Sequence, residues 1–229
     1  MDSSEYSNII IMNAILLDFN GTLFFDSGFH WEAWAEIFIA LNGEEAEVPD
    51  LKTFCGPRND DLIRNMAPWL TAEERQMWSR KKEVIYREIC ARNPERVSLS
   101  PGAVEFLDYL KESGIKFALV SASIRENVEF YFKQFGLSKW FNENTVIYDD
   151  GSFPNKGEMY KEASRRLDVD LKECIVVEDS TVAIGHAKEC NMGCIVGIGD
   201  ETDVNEMFKA GADYHIDDFT QFNKNWITN

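Results

Sequence analysis

Ala14-Ile-Leu-Leu-Asp-Phe-Asn-Gly-Thr-Leu23 opens with an unbroken apolar run, after which come a carboxylate at Asp18, an amide at Asn20 and a glycine at Gly21. The run is too short for a buried helix and shows no polar alternation, so it reads as a strand covered on both faces. Lys116-Phe-Ala-Leu-Val-Ser121, Cys174-Ile-Val-Val-Glu178 and Cys194-Ile-Val-Gly-Ile198 repeat that texture downstream. Helical periodicities lie between them. Ala103, Phe106, Leu107 and Leu110 recur at helical spacing after Pro101, which is read as a first helical position, and Gly114 closes the element. Val128, Phe132 and Phe135 do the same before Gly136. Alternation of this kind predicts a doubly wound, Rossmann-like parallel α/β sheet, whose ligands bind at the carboxyl ends of its strands.

One interval breaks the rhythm. The stretch from about Phe24 to Val97 is far longer than an ordinary connection between a strand and its helix. It carries helical patterns of its own. Trp34, Ile37, Phe38 and Leu41 form one stripe, and Thr71-Ala-Glu-Glu74 is a capping box ahead of a long helix bearing Trp78, Ile85 and Ile89. The expected organisation is a core domain of residues 1–24 and 98–229, with a helical cap of residues 25–97 inserted after the first strand. The tryptophans of the insert are expected in its core.

Composition narrows the partners. The 229 residues hold 23 Lys and Arg against 40 Asp and Glu, a formal charge of −17, which argues against nucleic acid and anionic membranes. An anionic substrate would then need local cations or a metal. No apolar run reaches the ~18 residues of a membrane span. The first ten residues carry acids and no Lys or Arg, so no signal peptide is expected and cytoplasmic residence follows. The eleven residues before Met12 add no needed element, which leaves Met12 as an alternative start. Five scattered cysteines read as free thiols, and a monomer is the default.

The chemistry-bearing residues cluster at strand ends. Asp18 ends the first strand, where a carboxylate can attack phosphorus and form an aspartyl phosphate. Ser121 ends the second and can donate to a phosphoryl oxygen. Lys156 supplies the positive charge that a transferring phosphoryl group requires. Glu178 and Asp179 end another strand as paired hard-oxygen donors suited to Mg²⁺. A lone strand-end aspartate more often caps a turn than catalyses. Four such groups on separate strands of one sheet converge by construction.

The order D-x-x-G-T-L, Ser after a hydrophobic strand, Lys, then E-D-S resembles the four motifs of the haloacid dehalogenase (HAD) superfamily. The insert resembles the cap of its β-phosphoglucomutase-like branch. The resemblance implies a Mg²⁺-dependent hydrolase of a small anionic phosphomonoester, a phosphosugar by preference. Asp18 would be nucleophile and metal ligand, with the Asn20 carbonyl, Glu178 and Asp179 completing the metal site. Ser121, Ala122 and Lys156 would hold the phosphate, and Thr22 would brace the motif loop. In the cap, Arg58, Lys82 and His30 resemble substrate-facing positions, although helix charges and hinge packing explain them equally well.

The departure from the pattern is Asn20, where the resemblance leads one to expect a second aspartate as general acid and base. A positioned acid/base contributes typically 10²–10⁴-fold, or roughly 3–5 kcal/mol of barrier. Several readings therefore stay open. The chain is a phosphatase with relaxed proton transfer, in which Asp26 or His30 substitutes, or a β-phosphoglucomutase-like mutase. Otherwise it is a phosphonatase-type hydrolase or a phosphosugar-binding protein with impaired catalysis.

Overall fold

The computed structural model describes residues 12–50, 59–200 and 203–227. The expected strands form as β1 (Ala14–Leu17), β2 (Lys116–Ile124), β4 (Cys174–Glu178) and β5 (Cys194–Ile198). Two short strands join them, β3 (Val146–Asp149) and β6 (Tyr214–Ile216). The sheet order is β3-β2-β1-β4-β5-β6 and every pairing is parallel. This is the doubly wound α/β sheet that the apolar runs imply, with β1 at its centre. All residues of β1 and β4 are buried, as strands covered by helices on both faces must be.

The chain divides into two compact units, Met1–Leu23 with Leu99–Asn229, and Phe24–Ser98. In the first, α4 (Ala103–Glu112), α5 (Arg125–Phe135), α6 (Lys156–Leu167), α7 (Thr181–Glu189) and α8 (Val204–Ala210) alternate with the strands. A core cluster runs from Leu16, Val120 and Val176 across to Tyr160, Ala163 and Ile184. Pro101 is not the first helical residue. It precedes Gly102, whose φ of 74° turns the chain into α4 and whose missing β-carbon leaves room for the backbone at Thr220. On α5 the buried face carries Asn127, Val128 and Tyr131, whereas Phe132 is half-buried.

The second unit holds α1 (Ser27–Asn42), α2 (Asn59–Met66) and α3 (Ala72–Arg92). Thr71 caps α3 and the Glu74 carboxylate reaches back to the Thr71 N–H, so the capping box is present as read. Trp34, Ile37, Ile63 and Met66 form its core, with Trp31 and Trp78 packed alongside. Trp69 departs from expectation and is 62% exposed. No helix among the described residues is long and apolar enough to cross a membrane, and Cys90, Cys174, Cys190 and Cys194 are free thiols.

Candidate active site

β1 and β4 are adjacent and in register, Leu17 beside Val177, so the residues that follow them emerge side by side at one rim of the sheet. Asp18 is 5% exposed and Glu178 is fully buried. One carboxylate oxygen each from Asp18, Glu178 and Asp179 lie within 4.8 Å of one another. Lys156, the first residue of α6, sends its ammonium into the group, 2.5 Å from Asp18 Oδ1 and 2.8 Å from Glu178 Oε2. Tyr160, one turn further along α6, donates its hydroxyl to Glu178 Oε2 at 2.8 Å. The convergence that the strand-end reading anticipated is therefore present for Asp18, Lys156, Glu178 and Asp179.

Electrostatics at this rim follow from burial. Desolvation, reinforced by the Glu178 carboxylate, pushes the Asp18 carboxyl up to about 7 against the opposing pull of Lys156. Burial alone would lower the Lys156 ammonium, but Asp18 and Glu178 outweigh it and the group is held above its ordinary value. Burial also pushes the Tyr160 phenol well up, with Glu178 adding to it. Three carboxyl groups thus share one rim with the Lys156 ammonium. The donor set is all hard oxygen, the chemistry that a divalent cation such as Mg²⁺ takes. Gly21 completes the fit, because at φ +74° a β-carbon there would overlap the Asp179 carboxylate.

The turn after β1 is held by its neighbours. Ser100 Oγ donates to the Thr22 carbonyl at 2.9 Å, and Thr22 N donates to Phe19 O. Thr22 thus anchors the loop through its backbone; its hydroxyl is buried without a hydrogen-bond partner. The Asn20 amide is clasped, with Ser123 Oγ donating to its Oδ1 at 2.7 Å while its Nδ2 donates to the Tyr131 hydroxyl at 2.8 Å. Tyr131 in turn stacks on Phe19, centroids 4.3 Å apart. Ser121 is buried and its Oγ accepts from Ser123 N, while Ala122 between them is exposed, at a register shift of β2 against β3.

Ser123, Tyr131 and Tyr160 escaped the sequence reading. Tyr160 had a signal, since it lies four residues after Lys156 and therefore on the same helix face. Tyr131 lies three after Val128, but the aromatic residues around it drew the stripe elsewhere. Ser123 had none, because the irregularity in β2 that aims it is not visible as a pattern.

The remaining candidates lie in the helical unit. Lys82 is 2% exposed, with its Nζ 2.6 Å from His30 Nδ1 and 3.1 Å from Glu83 Oε1. Burial lowers its pKa, against the raising effect of Glu83. Asp26, offered by sequence as a stand-in acid, is 1% exposed and faces His30 Nε2 at 3.1 Å and the Tyr86 hydroxyl at 2.5 Å. Arg58 lies outside the described residues. A groove of about 770 Å³ flanks β3 between Val128, Phe132, Tyr148 and Arg166. None of the carboxylate cluster lines it, so its size does not make it the site.

A buried carboxylate paired with lysine, beside two further acids, thus stands at the carboxyl rim of a Rossmann-like sheet, where folds of this class bind their ligands. The chain belongs to the haloacid dehalogenase-like hydrolases, whose family model matches residues 12–191. The relatives it matches include proteins described as phosphatases. It is 28% identical over 189 residues to Protein SUPPRESSOR OF QUENCHING 1, chloroplastic, of Arabidopsis thaliana; the match spans 80% of this chain but only 18% of that longer protein. It is 24% identical over 202 residues to the β-phosphoglucomutase of Bacillus subtilis, covering 82% of this chain and 84% of that one. A family IA, variant 3 HAD hydrolase from Entamoeba histolytica superposes with a TM-score of 0.86 at 29% identity, over 95% of this chain and all of that one.

Proposed function

We propose that the protein hydrolyses a small phosphomonoester, a phosphosugar by preference, through an aspartyl phosphate on Asp18. The observation that carries the reading is the Lys156 ammonium set between Asp18 and Glu178 at the strand rim. Asp18 Oδ attacks phosphorus in line, the P–O bond to the sugar breaks, and water then releases phosphate and restores the carboxylate. Lys156 offsets charge on the phosphoryl oxygens, and Ser121 and Ala122 hold them; β2 runs on to Ile124, so Ser121 stands where its register shifts and not at the strand's end as expected. Asp18, Glu178, Asp179 and the carbonyl of Asn20 would hold a Mg²⁺. When bound, that ion would supply positive charge beside the carboxylates and favour the ionised, nucleophilic form of Asp18.

The helical unit acts in this reading as the cap, with His30, Lys82 and Arg58 as its substrate-facing groups. The partner is a small anionic metabolite. The neutral Asn20 leaves proton transfer to the leaving oxygen unassisted, so turnover is slow. A panel of sugar phosphates assayed for phosphate release with native protein and Asp18→Ala tests the reading. Magnesium-dependent release by the native protein and none by Asp18→Ala is expected. Equal release by both would overturn it. Silence from both, with phosphosugars raising the melting temperature, favours a binding protein.

A further inference from the structure

Within the helical unit, a chain of hydrogen bonds runs through α1, α2 and α3. Lys82 can only donate, so the 2.6 Å contact to His30 makes Nδ1 an acceptor. The ring proton must then sit on Nε2, and Asp26 Oδ2 lies 3.1 Å away to receive it. The same Oδ2 accepts from the Tyr86 hydroxyl at 2.5 Å. The Tyr86 ring also lies flat against His30, centroids 4.2 Å apart and planes within 7°, which fixes the imidazole's rotation. On the far side, Glu83 Oε1 receives Lys82 Nζ at 3.1 Å and Asn59 Nδ2 at 2.8 Å. The Trp34 and Tyr86 rings, 5.3 and 5.4 Å from the ammonium, supply their faces.

Asp26 has no place in the hydrolytic steps, yet it is a carboxylate buried to 1% exposure. A buried charge persists only where it is paired and hydrogen-bonded, here by His30 and Tyr86. We infer that Asp26, oriented by Tyr86, is a positioning residue: it fixes His30 as the Nε2–H tautomer, whose Nδ1 then keeps the Lys82 ammonium charged and aimed. Carboxylate and ammonium are coupled through the imidazole, as a carboxylate orients a histidine that ligates a metal. The consequence for substrate binding rests on the proposed role of Lys82 in the cap; the tautomer does not.

Long-range ¹H–¹⁵N correlation spectra of protein labelled in its three histidines, recorded at pH 8, read the tautomer directly. Native protein is expected to show His30 as Nε2–H. Asp26→Ala should give a mixture of tautomers, and Asp26→Asn, which retains an acceptor oxygen, should restore the native pattern. Finding His30 as Nδ1–H in native protein, or unaltered in Asp26→Ala, overturns the inference. The native spectrum alone decides if Asp26→Ala fails to fold. In the sugar-phosphate assay, Asp26→Ala should raise KM roughly tenfold, the lower end of the range for residues that orient a binding group, with kcat nearly unchanged. A shifted tautomer with unchanged KM, in Asp26→Ala and Lys82→Ala alike, supports the positioning role and overturns the assignment of Lys82 to substrate.

Discussion

Replacing Asn20 by aspartate probes the catalytic reading at its most exposed point. The amide is held at both ends, Oδ1 by Ser123 and Nδ2 by Tyr131. A carboxylate keeps the first bond unchanged, and the second survives if the Tyr131 hydroxyl turns to donate. At most the Tyr131 bond is exchanged, so stability should fall by about 1 kcal/mol, the worth of one ordinary bond. A positioned acid/base is worth typically 10²–10⁴ in rate. Two hydroxyl donors would favour the ionised form of the new carboxylate, so little of it carries the proton a general acid needs. The expected gain is therefore near the low end, about 10- to 100-fold in kcat for phosphate release. Initial rates at pH 7, alongside melting curves for both proteins, measure it. Intact mass is needed as a control, because deamidation at Asn20-Gly21 would produce the same side chain. A folded Asn20→Asp protein no faster than the native one, while Asp18→Ala is silent, would refute the idea that the amide limits turnover.

Three further outcomes follow from the geometry. Gly21→Ala places a β-carbon against the Asp179 carboxylate at φ +74°; unfolding free energy should drop by at least about 1 kcal/mol, and stabilisation by added Mg²⁺ in a thermal melt should weaken. Tyr160→Phe keeps the ring but removes the donor to Glu178 Oε2, which should cost about 1.5 kcal/mol and raise the Mg²⁺ concentration needed for half-maximal activity. Glu162 is held down to about 2 by hydrogen bonds from Arg165 and Arg166, a depressed acid whose stabilisation is present above its ordinary value of 4.5. Glu162→Gln should therefore be less stable than native by roughly 0.5–1 kcal/mol at pH 7, and denaturant titrations should show the difference closing as pH falls from about 4.5 towards 2.

The sheet was legible because its central strands are buried on both faces and so spell continuous apolar runs. β3 and β6 were not, since Val146–Asp149 and Tyr214–Ile216 lie at the sheet edges, are short and are only partly covered. Asp18, Glu178 and Asp179 were legible because strand ends fix where a side chain emerges, whatever the packing; Lys156, expected at a strand end, instead opens α6. The clasp on Asn20 was not: it depends on a register shift that re-aims Ser123 and on which face of α5 turns inward. Both are settled by tertiary contacts. His30 and Lys82 stood out as types, but the buried carboxylate behind them belongs to a network of three helices that no local spacing encodes.

Lys156 has one more consequence. A newly made chain must bring three acidic groups together before any divalent ion has arrived, and their mutual repulsion would oppose docking of β4 beside β1. Because the first residue of α6 carries its own cation between two of them, the sheet can close with a resident counterion already in place. Closure of the sheet thereby needs no divalent ion already in place.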